Sequence, residues 1–189
     1  MKNLKSILLS SLLLLFISTG IYSQDAATAN HTIVISVPEV ALLDIEGGTS
    51  INMGPDAPTE AGSPLVFSGN ANTSLWLNYS SIVGTTVDAT RNVTVSISNG
   101  TIPGGMELKV TAGADAGAGA GTMGTSAGLI TLSGTSQTII SGIGSSYTGD
   151  GVSKGHNLTY ELSLASGSYG DIDFEDDNTL TILYTITNN

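Results

Sequence analysis

Hydrophobic and polar residues alternate with a period of two along most of the chain beyond residue 30. Such alternation, in segments rich in Val, Ile, Thr and Tyr, predicts strands that bury one face. No segment beyond residue 24 shows a helical period, so the sequence predicts an all-β protein. The clearest strands place on one face the sets Leu75, Leu77 and Tyr79; Val93, Val95 and Ile97; Leu158, Tyr160, Leu162 and Leu164; and Leu180, Ile182, Tyr184 and Ile186.

The first alternating segment, residues 31–37, places Ile33, Ile35 and Val37 on one face. It predicts the first strand, and two arrangements are open for it. The strand can pair within its own domain, which is the commoner arrangement for a first strand. Alternatively, it can complete the sheet of a neighbouring copy, as extended segments do when they add to a sheet edge.

Shorter strand candidates lie between the clear strands, and Gly, Asn and Pro turns separate them. About 8–10 short strands with such turns predict an antiparallel β-sandwich, with a closed barrel as the alternative. The shorter candidates are residues 40–45, 63–67, 106–111, 128–133 and 138–141.

Residues 112–128 are rich in Gly and Ala and offer few side chains to a core. This composition predicts a mobile loop between two strands. A short turn in its place is then expected to cost little stability, because loop-closure entropy changes slowly with length.

Two catalytic or cofactor motifs also match within this tract. Gly119, Gly121 and Gly124 have the spacing of a dinucleotide-binding turn, and residues 124–128 have that of a hydrolase nucleophile elbow around Ser126. Both motifs require a following helix, which the sequence does not predict. We therefore interpret both matches as chance in a Gly-rich tract.

Residues 1–23 have the pattern of a secretory signal peptide, with Lys2 and Lys5 before an apolar stretch at residues 7–17. The stretch is short for a membrane span. We expect cleavage to leave a single domain, residues 24–189, with no membrane span. Its expected location is extracellular or at the cell surface, with the periplasm as the alternative.

The charge of the mature chain limits its partners. Three basic residues remain against 16 acidic ones, a formal charge of −13. Nucleic acid is not expected as a partner, because phosphate binding needs clustered Lys or Arg. The chain has no cysteine, so the fold must rely on its core rather than on disulfides.

An acidic cluster lies shortly before the last strand. Asp171, Asp173 and Glu175 alternate, and extended backbone would place their carboxylates on one side. Carboxylate oxygens are the ligands of calcium, so these residues are a candidate calcium site. The alternative is a solvated acidic turn whose charges discourage aggregation.

Three aromatic residues are candidate ligand contacts. Trp76, the only tryptophan, is either a core residue, which we expect first, or a platform for a sugar. Tyr147 and Tyr169 lie in predicted loops and could form a small contact surface. No catalytic residues and no cofactor are predicted, calcium excepted.

Three segments, residues 139–149, 155–163 and 180–187, resemble secreted β-sandwich proteins of Gram-negative bacteria. Some of those proteins resemble subunits of surface fimbriae. The resemblance implies an immunoglobulin-like or pilin-like sandwich and a non-enzymatic structural or adhesive role, with self-assembly or a surface partner. The alternative function is an extracellular module that binds glycan or calcium.

Overall fold

The computed structural model describes residues 27–176 and 178–189. The predicted signal peptide, residues 1–23, therefore lies outside the described residues. The chain divides into two units, one ending at Ser36 and the other running from Val37 to Asn189. Among residues 27–176 and 178–189, no helix is long and apolar enough to cross a membrane.

Strands make up 44% of the described residues and helices 2%, as the all-β prediction requires. The strands are β1 (Val40–Glu46), β2 (Asn72–Ile82), β3 (Arg91–Asn99), β4 (Met106–Asp115), β5 (Ala120–Gly121), β6 (Thr125–Ser126), β7 (Ile130–Thr131), β8 (Gln137–Ile143), β9 (Ser146–Tyr147), β10 (His156–Leu164) and β11 (Thr181–Asn188).

The strands form two antiparallel sheets, consistent with a β-sandwich. The larger sheet is built on β2, which pairs with β1 along one side and with β9 and β10 along the other. It continues from β10 to β4 and β7, and from β9 to β5. The smaller sheet has the order β11-β3-β8-β6.

The core contains the inward residues of both sheets, and the alternation in the sequence identifies most of them. Leu77, Val93, Val95, Val110 and Leu158 are fully buried, as their positions in the predicted strands require. In β8 the adjacent Ile139 and Ile140 are both fully buried. The pairing of β8 with β3 is irregular there, and such irregularity breaks the strict alternation of faces.

The predicted strand at residues 31–37 is not formed in the described structure. Residues 28–39 belong to no strand or helix. Ile33, Val34, Ile35 and Val37 are between 71% and 87% exposed. The local pattern of a strand is present here, but strand formation also needs a partner edge, which the pattern does not supply.

The prediction of a loop at residues 112–128 is wrong for much of the tract. β4 continues to Asp115, β5 pairs with β9, and β6 pairs with β8 in the other sheet. A Cβ atom at Gly119 would lie 1.6 Å from the Tyr147 carbonyl oxygen, and one at Gly121 would lie 2.1 Å from that of Ser145. Absence of side chains therefore permits close backbone pairing here.

Two tyrosines join the sheets across the core. The hydroxyl groups of Tyr160 in β10 and Tyr184 in β11 are 2.7 Å apart and share a hydrogen bond. Burial raises the pKa of both tyrosines, and Tyr160 raises that of Tyr184 further. Burial also raises the pKa of Tyr79, with a smaller contribution from the Asp115 carboxylate.

These shifts predict loss of stability at alkaline pH. Above the ordinary tyrosine pKa of 10.0, the unfolded chain releases phenolic protons that the folded chain retains, so the free energy of unfolding falls as pH rises. Denaturant titrations between pH 8 and 11.5 should show this fall beginning near pH 10. The double variant Tyr160→Phe/Tyr184→Phe should show a shallower fall, and an equal slope in both proteins would contradict this assignment.

Candidate functional site

The structure separates the three aromatic candidates. Trp76 is half-buried on the outward face of β2, and the prediction that it belongs to the core is wrong. Its neighbours Leu75 and Leu77 occupy the core face. Tyr169 lies in a short 3-10 helix (Tyr169–Asp171) after β10, where its hydroxyl accepts a hydrogen bond from the Leu65 backbone N–H.

Tyr147 lies near the opposite end of β10 from Tyr169. It belongs to β9, beside Ser80 of β2, whereas the 3-10 helix begins at Tyr169, after β10 ends at Leu164. The three aromatic residues therefore do not form one contact surface. Tyr147 and Trp76 do share the outward face of the larger sheet, because Trp76 and Ser80 are four residues apart in β2.

The acidic segment forms local turns in the structure. Asp173 Oδ1 accepts a hydrogen bond from the Glu175 backbone N–H at 3.0 Å, and Asp176 Oδ2 accepts one from that of Gly104 at 3.2 Å. Among the described residues, which omit Asp177, no three acidic or histidine side chains form a group that could hold a metal ion.

Calcium binding at Asp171, Asp173 and Glu175 stays a prediction of the sequence. If calcium binds there, EDTA lowers the melting temperature and Asp173→Asn removes that response. An unchanged melting temperature would leave these acids as a solvated turn, in which Asp173 accepts a local hydrogen bond.

A depression surrounds Tyr147 on the outward face of the larger sheet. Leu42 of β1 and Tyr147 of β9 are the neighbours of Ser80 on its two sides. Asp44, two residues beyond Leu42, lies on the same face, and Asp150 borders the opposite side. The depression has a volume of about 480 Å³ and is widely open to solvent, so it would cover one face of a small ligand rather than enclose it.

Buried polar side chains hold the wall of this depression in place. The Asn78 side-chain amide donates a hydrogen bond to the Gly151 carbonyl at 2.9 Å, and Asn78 is only 4% exposed. Thr148 is fully buried, and its Oγ1 accepts a hydrogen bond from the Tyr79 backbone N–H at 3.0 Å. These contacts tie residues 148–151 to β2, so the depression is formed before any ligand arrives.

His156 lies at the end of the core in a network of buried hydrogen bonds. Its Nδ1 donates to the Gly113 carbonyl at 2.8 Å, and its Nε2 is 2.9 Å from the Tyr79 hydroxyl. The Tyr79 hydroxyl donates its proton to the Met123 carbonyl. Because His156 is 2% exposed and engaged at both ring nitrogens, it is not placed to act on an external substrate.

The two motif matches of the Gly-rich tract have a structural explanation. No helix comes directly after Gly124 or Ser126 in the described chain; β6 begins at Thr125, and β7 and β8 come next. A Cβ atom at Gly124 would lie 2.6 Å from the Ser141 carbonyl oxygen, and the Ser126 hydroxyl accepts a hydrogen bond from the Gly128 N–H. These residues serve close packing and a local turn.

The outer edge of β11 is a second candidate surface, although β1 lies close to this strand. β11 pairs with β3 on one side, and among the described residues no strand pairs with its other side. Its eight residues, TILYTITN, include no charge and no proline. The edge strand β1 differs, because it carries Asp44 and Glu46. Charges and proline are the usual protection of exposed edges.

No family model, curated protein or solved structure matches this chain. Sequence reasoning missed Leu42, Asp44, Ser80 and Asp150, because residues from three separate strands and a loop form the depression. Tyr147 was the one member that it identified, as an aromatic residue in a predicted loop, although the structure places Tyr147 in β9.

Proposed function

We propose that this chain is a non-enzymatic, secreted or cell-surface structural and adhesive protein of fimbrial-subunit type. In this proposal, residues 31–37 of one copy add a strand to a sheet of the next copy. The observation that carries it is the exposed alternating segment with Ile33, Ile35 and Val37, which belongs to no strand. The pilin-like or immunoglobulin-like character of the sandwich is part of the proposal.

The free energy of burial favours a partner for this segment. Burying an Ile or Val side chain contributes about 1.5–3 kcal/mol, and three such side chains on one face would enter an interface together. Ordering the backbone opposes this gain, but the backbone hydrogen bonds of an added strand contribute as well.

The outer edge of β11 suits such a segment best. Ile182, Tyr184 and Ile186 of β11 pack against the core, so a strand added beside them would place its own apolar face over the same core. Residues 26–38 include no Asp, Glu, Lys or Arg. The segment can therefore approach an acidic neighbour without charge repulsion.

We expect charged residues on the apolar face of the segment to prevent assembly. In Ile33→Lys/Ile35→Lys, each lysine would have to be buried without a partner. The matched control Thr32→Lys/Ser36→Lys adds the same charge to the opposite face and should still assemble. Light scattering after size-exclusion chromatography measures the mass of the mature proteins over a range of concentrations.

The proposed acceptor edge has a matched pair of variants of its own. Leu183 of β11 and Ser96 of β3 are cross-strand partners in the smaller sheet. Leu183→Lys places a charge on the edge strand and should weaken assembly, whereas Ser96→Lys places it on an internal strand and should not. Equal assembly of all four variants, or a wild-type protein that is monomeric at every concentration, would contradict the proposal.

A further inference from the structure

We propose that the depression around Tyr147 binds a neutral saccharide. The site comprises Leu42, Asp44, Ser80, Tyr147 and Asp150. Saccharide binding at this site would account for the adhesive part of the proposed function, on which it rests. It does not depend on assembly through residues 31–37.

The neighbouring strands β1, β2 and β9 form the depression. Its two walls are apolar side chains, and its floor is the polar side chain of Ser80. Leu42 and Tyr147 flank the short side chain of Ser80, and they are 65% and 54% exposed. Two strand spacings separate them, about 9.6 Å. A sugar ring fits between such walls, because its C–H faces can pack against Tyr147 and Leu42 while its edge carries hydroxyl groups.

The polar groups at the rim match the hydroxyl groups of a sugar. The carboxylates of Asp44 and Asp150 accept hydrogen bonds from hydroxyl protons, and the Ser80 hydroxyl can donate or accept. Asp44 Oδ1 already accepts the Ile45 N–H at 2.8 Å, which orients this carboxylate. Hydrogen bonds to a charged acceptor are stronger than neutral ones.

Charge disfavours an anionic ligand at this site. The residues that line the depression include two carboxylates and no basic side chain, although Lys154 packs beside Gly149 at the border. The mature chain has a formal charge of −13, so a phosphate, a sulfate or an acidic sugar should bind more weakly than a neutral sugar. A small amine could form an ion pair with one of the two carboxylates. It would not contact the apolar side chains of Leu42 and Tyr147, which a sugar ring would cover.

The depression is also rigid enough to select a ligand. Asn78 and Thr148 fix residues 148–151 from below through buried hydrogen bonds. A site that is formed in advance loses less conformational entropy when it binds.

The test is binding of the mature protein, residues 24–189, to an array of neutral mono- and oligosaccharides, with sialic acid and lysine methyl ester as additional probes. The best neutral sugar is then titrated by calorimetry. We expect a neutral saccharide to bind and sialic acid to bind more weakly. Tyr147→Ala and Asp150→Asn should each weaken binding of that sugar by about tenfold, the effect of losing one good contact.

Matched controls separate the site from general effects. Phe174 is an exposed aromatic residue outside the depression, so Phe174→Ala should leave the affinity unchanged. Asp150→Asn changes the charge but not the size of an exposed side chain. The variant should therefore fold normally, and lost binding would report on the site itself. Ile33→Lys/Ile35→Lys should bind sugar normally even when it does not assemble.

Four outcomes would overturn the inference. They are no binding to any neutral saccharide, binding that Tyr147→Ala and Asp150→Asn leave unchanged, stronger binding of sialic acid than of neutral sugars, and binding of lysine methyl ester alone. None of these outcomes bears on assembly, so failure here and failure of the proposed assembly are distinguishable.

Discussion

Replacing Gly119 with alanine should lower the free energy of unfolding by about 3 kcal/mol, the upper range for an overpacked site. The new Cβ atom would lie 1.6 Å from the Tyr147 carbonyl oxygen and 2.8 Å from the Thr148 Cα. Backbone atoms cannot move aside as a flexible side chain would. The pairing of β5 with β9 should therefore break, and urea titration of the two proteins measures the loss.

Gly134 is the matched control for this substitution. No atom lies within 4 Å of a Cβ placed there, and its backbone is not in the left-handed region. Gly134→Ala should change stability by less than about 1 kcal/mol. Equal effects of the two substitutions would contradict the close packing of the tract.

A larger change to the same tract should have a larger effect. Replacing residues 113–128 with a short Gly/Ser turn removes the end of β4 and all of β5 and β6. It also removes the Gly113 and Met123 carbonyls that accept hydrogen bonds from His156 and Tyr79. Cooperative unfolding should be lost, whereas a mobile loop could be shortened at little cost.

Replacing Arg91 with alanine should destabilise the protein by about 2 kcal/mol, because it removes several hydrogen bonds of a buried guanidinium, one of them to the exposed Glu39 carboxylate. The Arg91 guanidinium donates to Glu39 Oε1 at 2.6 Å, to Asn188 Oδ1 and to the Ile82 carbonyl at 3.2 Å. These contacts join the residue before β1, the end of β2 and the end of β11. Their loss should loosen both sheet edges together.

Lys109 provides the control for this second substitution. Its ion pair with Glu107 spans 2.9 Å, but both side chains are partly exposed. Exposed pairs contribute little, so Lys109→Ala should cost less than about 1 kcal/mol. Thermal unfolding of Arg91→Ala and Lys109→Ala side by side tests this contrast, and similar melting temperatures would show that Arg91 does not join the edges.

Period-two alternation was sufficient to predict the all-β class and most core residues. Val93, Val95, Leu158 and Tyr160 are buried where their strands require, because burial of one sheet face is a local property of the sequence. The outward position of Trp76 follows from the same alternation. We expected Trp76 in the core because large aromatic side chains are commonly buried. Its place in the alternation, rather than its residue type, determines which face of β2 it occupies.

Long-range pairing is what the sequence could not predict. Nothing local indicates that β5 pairs with β9 or that β6 belongs to the other sheet. The Gly-Ala composition that suggested a loop also permits close backbone pairing, because a Cβ atom at Gly119 or Gly121 would overlap β9 or the residue before it. The depression around Tyr147 depends on the same pairing, because Leu42 and Ser80 meet only through the register of β1 on β2.

The central claim is that residues 31–37 of one copy add a strand to a sheet of the next copy. The most direct test removes residues 24–38 and supplies them as a separate peptide. If residues 31–37 serve a neighbouring copy, the truncated domain should unfold cooperatively, remain monomeric and bind a synthetic peptide of residues 28–38. The same peptide carrying Ile33→Lys and Ile35→Lys should not bind. A truncated domain that unfolds or aggregates and binds neither peptide, beside a wild-type protein that never forms oligomers, would contradict the claim.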